Sequence, residues 1–378
     1  MDKNLHDFLT SQESELFDLI KNITLIPAPS YKEKKRAEYI KNYLEQNGAK
    51  GVYIDEVYNV IYPVNIDGSN DITLFLTHID TVFPDESPMP YVDDGEYIHS
   101  PGVIDNVVCV AQMLTVCKYI ANNLNDGYKN MLIVFNSCEE GLGNLRGTRA
   151  IFESFKNRIS LAYSFDSGYN KLVAKAVGSV RFKVTVKTEG GHSFNAFGNK
   201  NAIAVASKLI SSFYEITPPV LPDSKTTYNV GVINGGTSVN TIAQQVEFLC
   251  EYRSDNADGM EIMRQNFEKA INTAKSENGV EITVEIVGER PCGKNVDQSA
   301  LQSIIDNAME ICKKHTGIDC KLDSGSTDCN IPLSLGIPSI CVGSYLGSGT
   351  HTREEKLLKS SVMKGLNIVA EIITKKQV

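Results

Sequence analysis

Four short runs along the chain are apolar at nearly every position: Ile72–Thr77, Met131–Phe135, Ile159–Phe165 and Ile337–Val342. Runs this short, rich in β-branched residues and free of charge, predict strands covered on both faces, as in a parallel sheet packed between helices. Around them the spacing changes to one apolar residue every three or four positions, which predicts helices over Leu5–Ile23, Tyr31–Asn47, Asn106–Asn123, Thr148–Phe155, Gln298–His315 and Glu354–Lys375. Pro27, Pro29 and Gly48 punctuate the first two, so two helices are expected to open the chain. Further strands are expected around Val52–Ile54 and Val60–Val64, and a Gly/Ser-rich loop between His315 and the Ile340 strand.

From Gly178 the pattern changes. Val180, Phe182, Val184 and Val186 alternate with polar residues, as in an antiparallel strand with one wet face. A helix over Asn201–Tyr214, strands near Tyr228–Ile233 and Val246–Tyr252, a helix over Asp258–Ser276 and an alternating Val280–Val287 follow. The order β-α-β-β-α-β is the ferredoxin-like arrangement. The expected architecture is therefore α/β: a mixed, mainly parallel sheet flanked by helices in a discontinuous domain of residues 1–177 and 289–378, interrupted by an α+β unit at 178–288.

Composition narrows the classes. A chain of 378 residues exceeds one ordinary core, and 42% hydrophobic with 22% charged residues is the balance of a globular protein. Met1–His6 lacks the apolar core of a leader, and no apolar run approaches the ~20 residues of a bilayer span, so a cytoplasmic location without a membrane partner is expected. Nine cysteines without a C-x-x-C pair read as reduced thiols and argue against a zinc–thiolate site. A formal charge of −9 with no Lys/Arg block argues against nucleic acid.

The chemistry gathers where the apolar runs end. The Ile72 run leads into His78 and Asp80, the Met131 run into Glu139 and Glu140, the Ile159 run into Asp166, and the Ile337 run through a Gly-rich loop to His351; Asp105 lies just ahead of a helix. Ligands of open α/β sheets collect beyond the carboxyl ends of strands. Singly, each residue is ordinary, because H-x-D often marks a turn and an acid at a strand end is usually solvated. Together, His78, Asp105, Glu140, Asp166 and His351 suit two zinc-like ions sharing a carboxylate. Asp80 either points alongside His78 or turns back to accept its free ring N–H, which would fix the tautomer. Neighbouring side chains diverge, so Glu140 is assigned as ligand and Glu139 as the acid/base facing water between the ions. Two cations ~3.5–4 Å apart activate such a water and polarise a carbonyl, which points to amide hydrolysis.

Five stretches, Thr77-His78-Ile79-Asp80-Thr81-Val82, Pro101-Gly102-Val103-Ile104-Asp105-Asn106, Cys138-Glu139-Glu140-Gly141, Ser164-Phe165-Asp166-Ser167 and Gly349-Thr350-His351-Thr352, resemble in order and separation the M20 co-catalytic zinc peptidases and deacylases. The likeness is strongest to the peptidase T-like, aminotripeptidase branch. It implies a zinc-exopeptidase-like fold with a lid inserted in the catalytic domain. It also implies that His78 and Asp166 hold one ion, Glu140 and His351 the other, that Asp105 bridges them with a cis peptide after it, and that Asp80 stands behind His78. Gly190-Gly191-His192-Ser193 resembles the family's lid motif, whose histidine in dimeric members reaches the partner's site and stabilises the oxyanion. This implies a homodimer through the lid.

Asn240 and Arg253 resemble the family's binders of substrate carbonyl and carboxylate, although a surface ion pair accounts for Arg253 almost as well. Asp328, in Ser324-Gly325-Ser326-Thr327-Asp328, suits either a peptide's free amine or a turn cap. His6, His99 and His315 read as structural or solvated, and Cys138 and Cys329 lack the histidine partner of a thiol nucleophile. The chain departs from the family in having Val107 and Val108 where small residues are usual, no Trp after H-x-D, where Phe83 fills the place, and Asp166 in place of Glu, as in aminopeptidases. The expected activity is metal-dependent exopeptidase cleavage of small peptides, by an aminopeptidase or di/tripeptidase. The rivals are an N-acyl-amino-acid deacylase or amidohydrolase of the same mechanism and, against the intact Glu139, a metal-binding protein without catalysis. The cofactor expected is a pair of divalent ions, zinc first, with manganese or cobalt as alternatives.

Overall fold

The structure is a computed structural model that describes residues 3–124 and 127–375. The chain divides into two compact units, Met1–Ala176 with Lys294–Val378, and Val177–Gly293.

The first unit is built on an eight-stranded sheet. Ile72–His78 lies parallel between Met131–Asn136 and Ile159–Phe165. Beyond Ile159–Phe165 come Ser339–Val342, parallel to it, then Lys171–Ala176, antiparallel, and Lys321–Gly325, parallel to that edge. On the other side Val60–Val64 and Tyr53–Ile54 add antiparallel. The sheet is mixed and mainly parallel, as its apolar runs imply.

Period-two alternation decides what each face meets. Phe75, Ile133, Phe135, Tyr163 and Phe165 join one core with Val108–Asn122 and Lys359–Thr374, and Phe75 stacks on Tyr163 at 5.6 Å. Leu74, Leu76, Leu132, Val134 and Ala162 join the opposite core with Ile151, Phe152 and Phe155 of the helix Arg146–Phe155. Both faces are therefore dry, which leaves the strand ends as the place for polar chemistry. Among the described residues, Val103–Asn122 is the one helical stretch long and apolar enough to cross a membrane, with 89% of it buried inside the fold. It contains the helix expected over Asn106–Asn123.

Three further departures from the sequence reading have local causes. The opening helix breaks at Gln12 into Lys3–Ser11 and Glu13–Thr24, so with Lys34–Gln46 three helices precede the sheet. The hydroxyls of Thr10 and Ser11 donate to the carbonyls of His6 and Phe8, competing with the helix ladder. The strand Lys321–Gly325 occupies part of the expected Gly/Ser-rich loop, its side chains largely exposed as on a sheet edge. Residues 354–358 are not helical: Lys356–Leu358 pairs antiparallel with Tyr97–His99, and the helix begins at Lys359.

The second unit has the β-α-β-β-α-β order. Its antiparallel sheet runs Thr226–Gly235, Gln245–Ser254, Gly178–Lys187, Glu281–Arg290 in space. One face carries the helices Ala202–Tyr214 and Ala257–Lys275, N-capped by the side chains of Asn201 and Asn256. Phe267 fills the centre of that core, stacked on Phe213 at 4.4 Å.

Candidate metal centre

At the carboxyl ends of the central strands the first unit gathers seven of the predicted residues. His78 closes its strand fully buried, with ring Nδ1 3.2 Å from the carbonyl oxygen of Asp80 and 3.5 Å from its carboxylate. Of the two arrangements open from the sequence, Asp80 therefore takes the one behind the ring. Nε2 faces the other way, 3.0 Å from Asp105 Oδ1 and 3.9 Å from Asp166 Oδ2. Asp105 lies in an irregular helical turn, Val103–Val107, and its peptide bond to Asn106 is cis. Its other oxygen is 3.0 Å from His351 Nε2, which is also 3.4 Å from Glu140 Oε1. Three overlapping sets result, each with its ligand atoms within 4.8 Å of one another: His78, Asp105 and Asp166; His78, Glu139 and Glu140; Asp105, Glu140 and His351.

Acids that face away from this cluster hold its turns by their backbone. Asp80 accepts the N–H of Glu139 at 2.9 Å on one oxygen, and on the other that of Glu140 at 3.0 Å and the Ser30 hydroxyl at 2.7 Å. Glu33 Oε1 accepts the N–H groups of Tyr31 and Cys138, each at 3.0 Å, which steadies the left-handed Cys138 just before the glutamates. Glu355 accepts three N–H groups around Asp105. Asn106 donates to the Thr77 hydroxyl and the Phe165 carbonyl at 3.0 and 2.8 Å, tying the turn to the strands on either side. Sequence reasoning missed Glu33 and Glu355. Each stands in a polar stretch beside other charges, and no side-chain spacing marks a residue whose partners are backbone amides.

Charge inside the cluster is strongly redistributed. Burial and the neighbouring Asp105 push Glu140 up to about 8 and Asp166 up to about 7. Asp105 itself, despite burial, is held well below the usual carboxylate range by His351 and His78. His351 is raised to about 10 by Asp105 and Glu140; on His78 burial acts against the charge, yet Asp105 and Asp80 keep it well above the ordinary histidine value.

The donor set passes a geometric test for metal. His78 Nε2 and Glu140 Oε1 are buried and make no hydrogen bond, although opposite charges stand at 3.0 and 3.4 Å. Atoms that are close but poorly aimed at one another suit a common cation between them, and imidazole with carboxylate is the donor chemistry of zinc and of its oxygen-loving relatives.

The remaining predicted residues divide by unit. Asp328 is buried in the first, accepting from Asn136 at 2.8 Å and from the Thr148 hydroxyl, and burial with the nearby Glu139 raises it to about 6. It does not cap the following turn, which Thr327 and Asn330 close. Val107 and Val108 pack in the core, and Phe83 is buried beneath Arg353, 4.9 Å from its ring centre. Burial pushes the thiols of Cys138 and Cys329 up to about 12, away from nucleophilic use. His99 pairs with Asp94 at 2.8 Å and His315 with Glu371 at 2.5 Å.

In the second unit, Gly191–His192 pairs with Thr241–Ile242, which sets His192 beside Asn240: the N–H of Ser193 meets the Asn240 carbonyl at 2.9 Å. Arg253 does not present a free fork, because Glu251, two residues back on the same strand face, takes Nε at 2.7 Å and Nη2 at 3.0 Å. The ion pair, and not the open carboxylate binder, is what the structure contains.

Comparison with known proteins places this geometry. The chain is 27% identical over 328 residues to the uncharacterized protein YqjE of Bacillus subtilis (strain 168), covering 83% of this chain and 84% of the relative. Its fold is similar to that of a tripeptidase from Staphylococcus aureus subsp. aureus mu50, with a TM-score of 0.76 at 22% identity over 96% of this chain and 99% of the other. It is also similar to the YXEP protein of Bacillus subtilis, a dinuclear metal-binding peptidase, with a TM-score of 0.67 at 15% identity over 97% and 100% of the two chains. The model of Peptidase family M20/M25/M40 matches residues 74–375, a span that contains every residue of the His/Asp/Glu cluster above, and the chain belongs to that family of hydrolases.

Proposed function

We propose that the protein is an exopeptidase for small peptides, an aminopeptidase or di/tripeptidase, within the metal-dependent amide hydrolysis of its family. The observation that carries the reading is the turn at Glu139 and Glu140: two buried acids whose backbone N–H groups share the carboxylate of Asp80, standing with His78 in one ligand set. In this reading His78 and Asp166 hold one divalent ion, Glu140 and His351 a second, and Asp105 lies between. Bound there, the ions, zinc first with manganese or cobalt as alternatives, would acidify the attacking water and polarise the scissile carbonyl.

Glu139 then takes the proton of the attacking water and hands it to the leaving amine. His192 acts as the oxyanion donor. Its Nδ1 lies 3.3 and 3.4 Å from the N–H groups of Phe194 and Asn195, so it accepts there, and in the neutral ring of this exposed residue Nε2 is then the donor. Asn240 accepts the Ser238 hydroxyl on Oδ1 at 2.8 Å, which leaves its amide N–H₂ to meet a substrate carbonyl. A homodimer completes the reading, with the lid histidine supplied in trans.

Four outcomes test it. Cleavage of unblocked tripeptides read by mass spectrometry should release the N-terminal residue and fail on N-acetylated peptides; a preference for N-acylated amino acids would instead make the chain a deacylase. Glu139→Gln should lower kcat about 10²–10⁴-fold with metal content unchanged, and full turnover in that variant removes the proton-carrier role. Glu140 and Asp166, raised to about 8 and 7, and His351, raised to about 10, must shed the protons they carry to bind a cation. Zinc affinity of the chelator-stripped chain should therefore rise with pH through 8 and level off only above about 10, where His351 has also lost its proton, with proton release at pH 7 seen by calorimetry in two buffers. Sedimentation at working concentration should give a dimer, and a monomer with full activity ends the trans assignment of His192.

A further inference from the structure

Glu355 is as buried as any core leucine, at 0% exposure, yet it is a carboxylate whose partners are all backbone. Oε2 accepts the N–H of Gly102 at 3.0 Å; Oε1 accepts those of Ile104 at 2.7 Å and Asp105 at 3.1 Å. Its own carbonyl accepts the N–H of Ser100 at 3.1 Å. One residue thus grips the segment 100–105 from end to end.

The other end of the grip is the hairpin that carries His351. Gly347–Ser348 pairs with Lys356–Leu357, the tip turns back through a Thr352 N–H to Gly349 carbonyl bond at 2.9 Å, and Gly349 takes φ +82°. A Cβ at Gly349 would stand 3.0 Å from the Glu354 carbonyl oxygen and 3.1 Å from the Glu355 Cα, so the two arms are as close as backbone allows. His351 sits at the exposed tip with φ +65°, and Glu355 sits where the hairpin returns to the core. Sequence separation between the hairpin and the Asp105 turn is large, and neither belongs to the eight-stranded sheet. Lys356–Leu358 pairs with Tyr97–His99 and so brings the hairpin beside the chain that leads into the turn, and the 3.0 Å approach of His351 to Asp105 needs the turn itself held against that arm.

We propose that Glu355 is the positioning residue of the metal centre: its carboxylate latches the Asp105 turn to the base of the His351 hairpin, so that these two metal-facing groups move as one body. The inference rests on the reading that Asp105 and His351 hold metal. It makes a demand on chemistry as well as shape. Both oxygens accept, so the isosteric amide cannot serve: whichever way a glutamine is turned, its N–H₂ meets a buried N–H group, and that donor loses its partner.

The test is zinc affinity of the chelator-stripped full chain, by competition with a chromogenic chelator, together with the cobalt(II) visible spectrum as a report on ligand geometry. Wild type, Glu355→Gln, Asp105→Ala and His351→Ala are compared. Glu355→Gln, folded by far-UV circular dichroism, should bind zinc about ten- to hundredfold more weakly and change the cobalt spectrum, as expected when a group that orients ligands is lost. A folded Glu355→Gln with wild-type affinity and spectrum overturns the proposal. Should Glu355→Gln fail to fold, Glu355→Asp decides: a folded, weakly binding Asp variant upholds the latch, while one that binds as wild type or also fails to fold shows a group that serves the fold alone. Normal zinc binding in both Asp105→Ala and His351→Ala would remove the metal centre itself, an outcome distinct from failure of the latch.

Discussion

Asp105 stands between two imidazoles, 3.0 Å from each, and the organisation of the site follows from the charge this brings together. Glu139, Glu140, Asp166 and Asp328 converge on the same rim, all buried or nearly so. Carboxylates at such distances cannot all ionise without positive charge among them, and two histidines do not supply enough. The imbalance appears as proton retention on Glu140 and Asp166, while Asp105, which stands closer to both histidines than either of them, stays ionised. A divalent cation resolves the conflict that the side chains alone leave standing.

The fold meets this concentration of charge by division of labour. A sheet that is dry on both faces supplies His78 and the take-off points of Glu139 and Asp166 on rigid backbone. Turns supply the rest, and turns need holding. Asp80 holds the N–H groups of Glu139 and Glu140, Glu33 that of Cys138, and Glu355 those of the Asp105 turn. Acids thus serve twice, some gathered in the cluster and others anchoring main chain behind it. A buried network of this kind specifies one geometry only when its members are satisfied.

The sequence made the sheet and the insert legible because apolar runs and strict alternation report burial directly. The strands Ile72–His78 and Gly178–Lys187 and the helix Gln298–Thr316 lie within a residue or so of their patterns. Lys321–Gly325 was illegible because an exposed edge strand has no apolar face to display. Residues 354–358 were misread because Glu355 turns inward for backbone partners, against the helical periodicity that its neighbours mimic. Within the site, side chains able to ligate a cation declare themselves by type and place, as His78, Asp105 and His351 do. Glu33 and Glu355 do not, since their work lies in amide hydrogens that every residue possesses. The pairing of Arg253 was open to reading: Glu251 stands two positions back, on the same face of a strand.

The topology also fixes when the protein can be finished. Ser339–Val342 lies between Ile159–Phe165 and Lys171–Ala176, so the large sheet stays in two pieces until the ribosome has passed residue 342. Every strand of the inserted unit, by contrast, finds its neighbour within Val177–Gly293. The guest matures while its host is still open, and the emerging chain must keep the apolar flanks of the Ile159 and Lys171 strands from foreign partners until their late-made neighbour arrives.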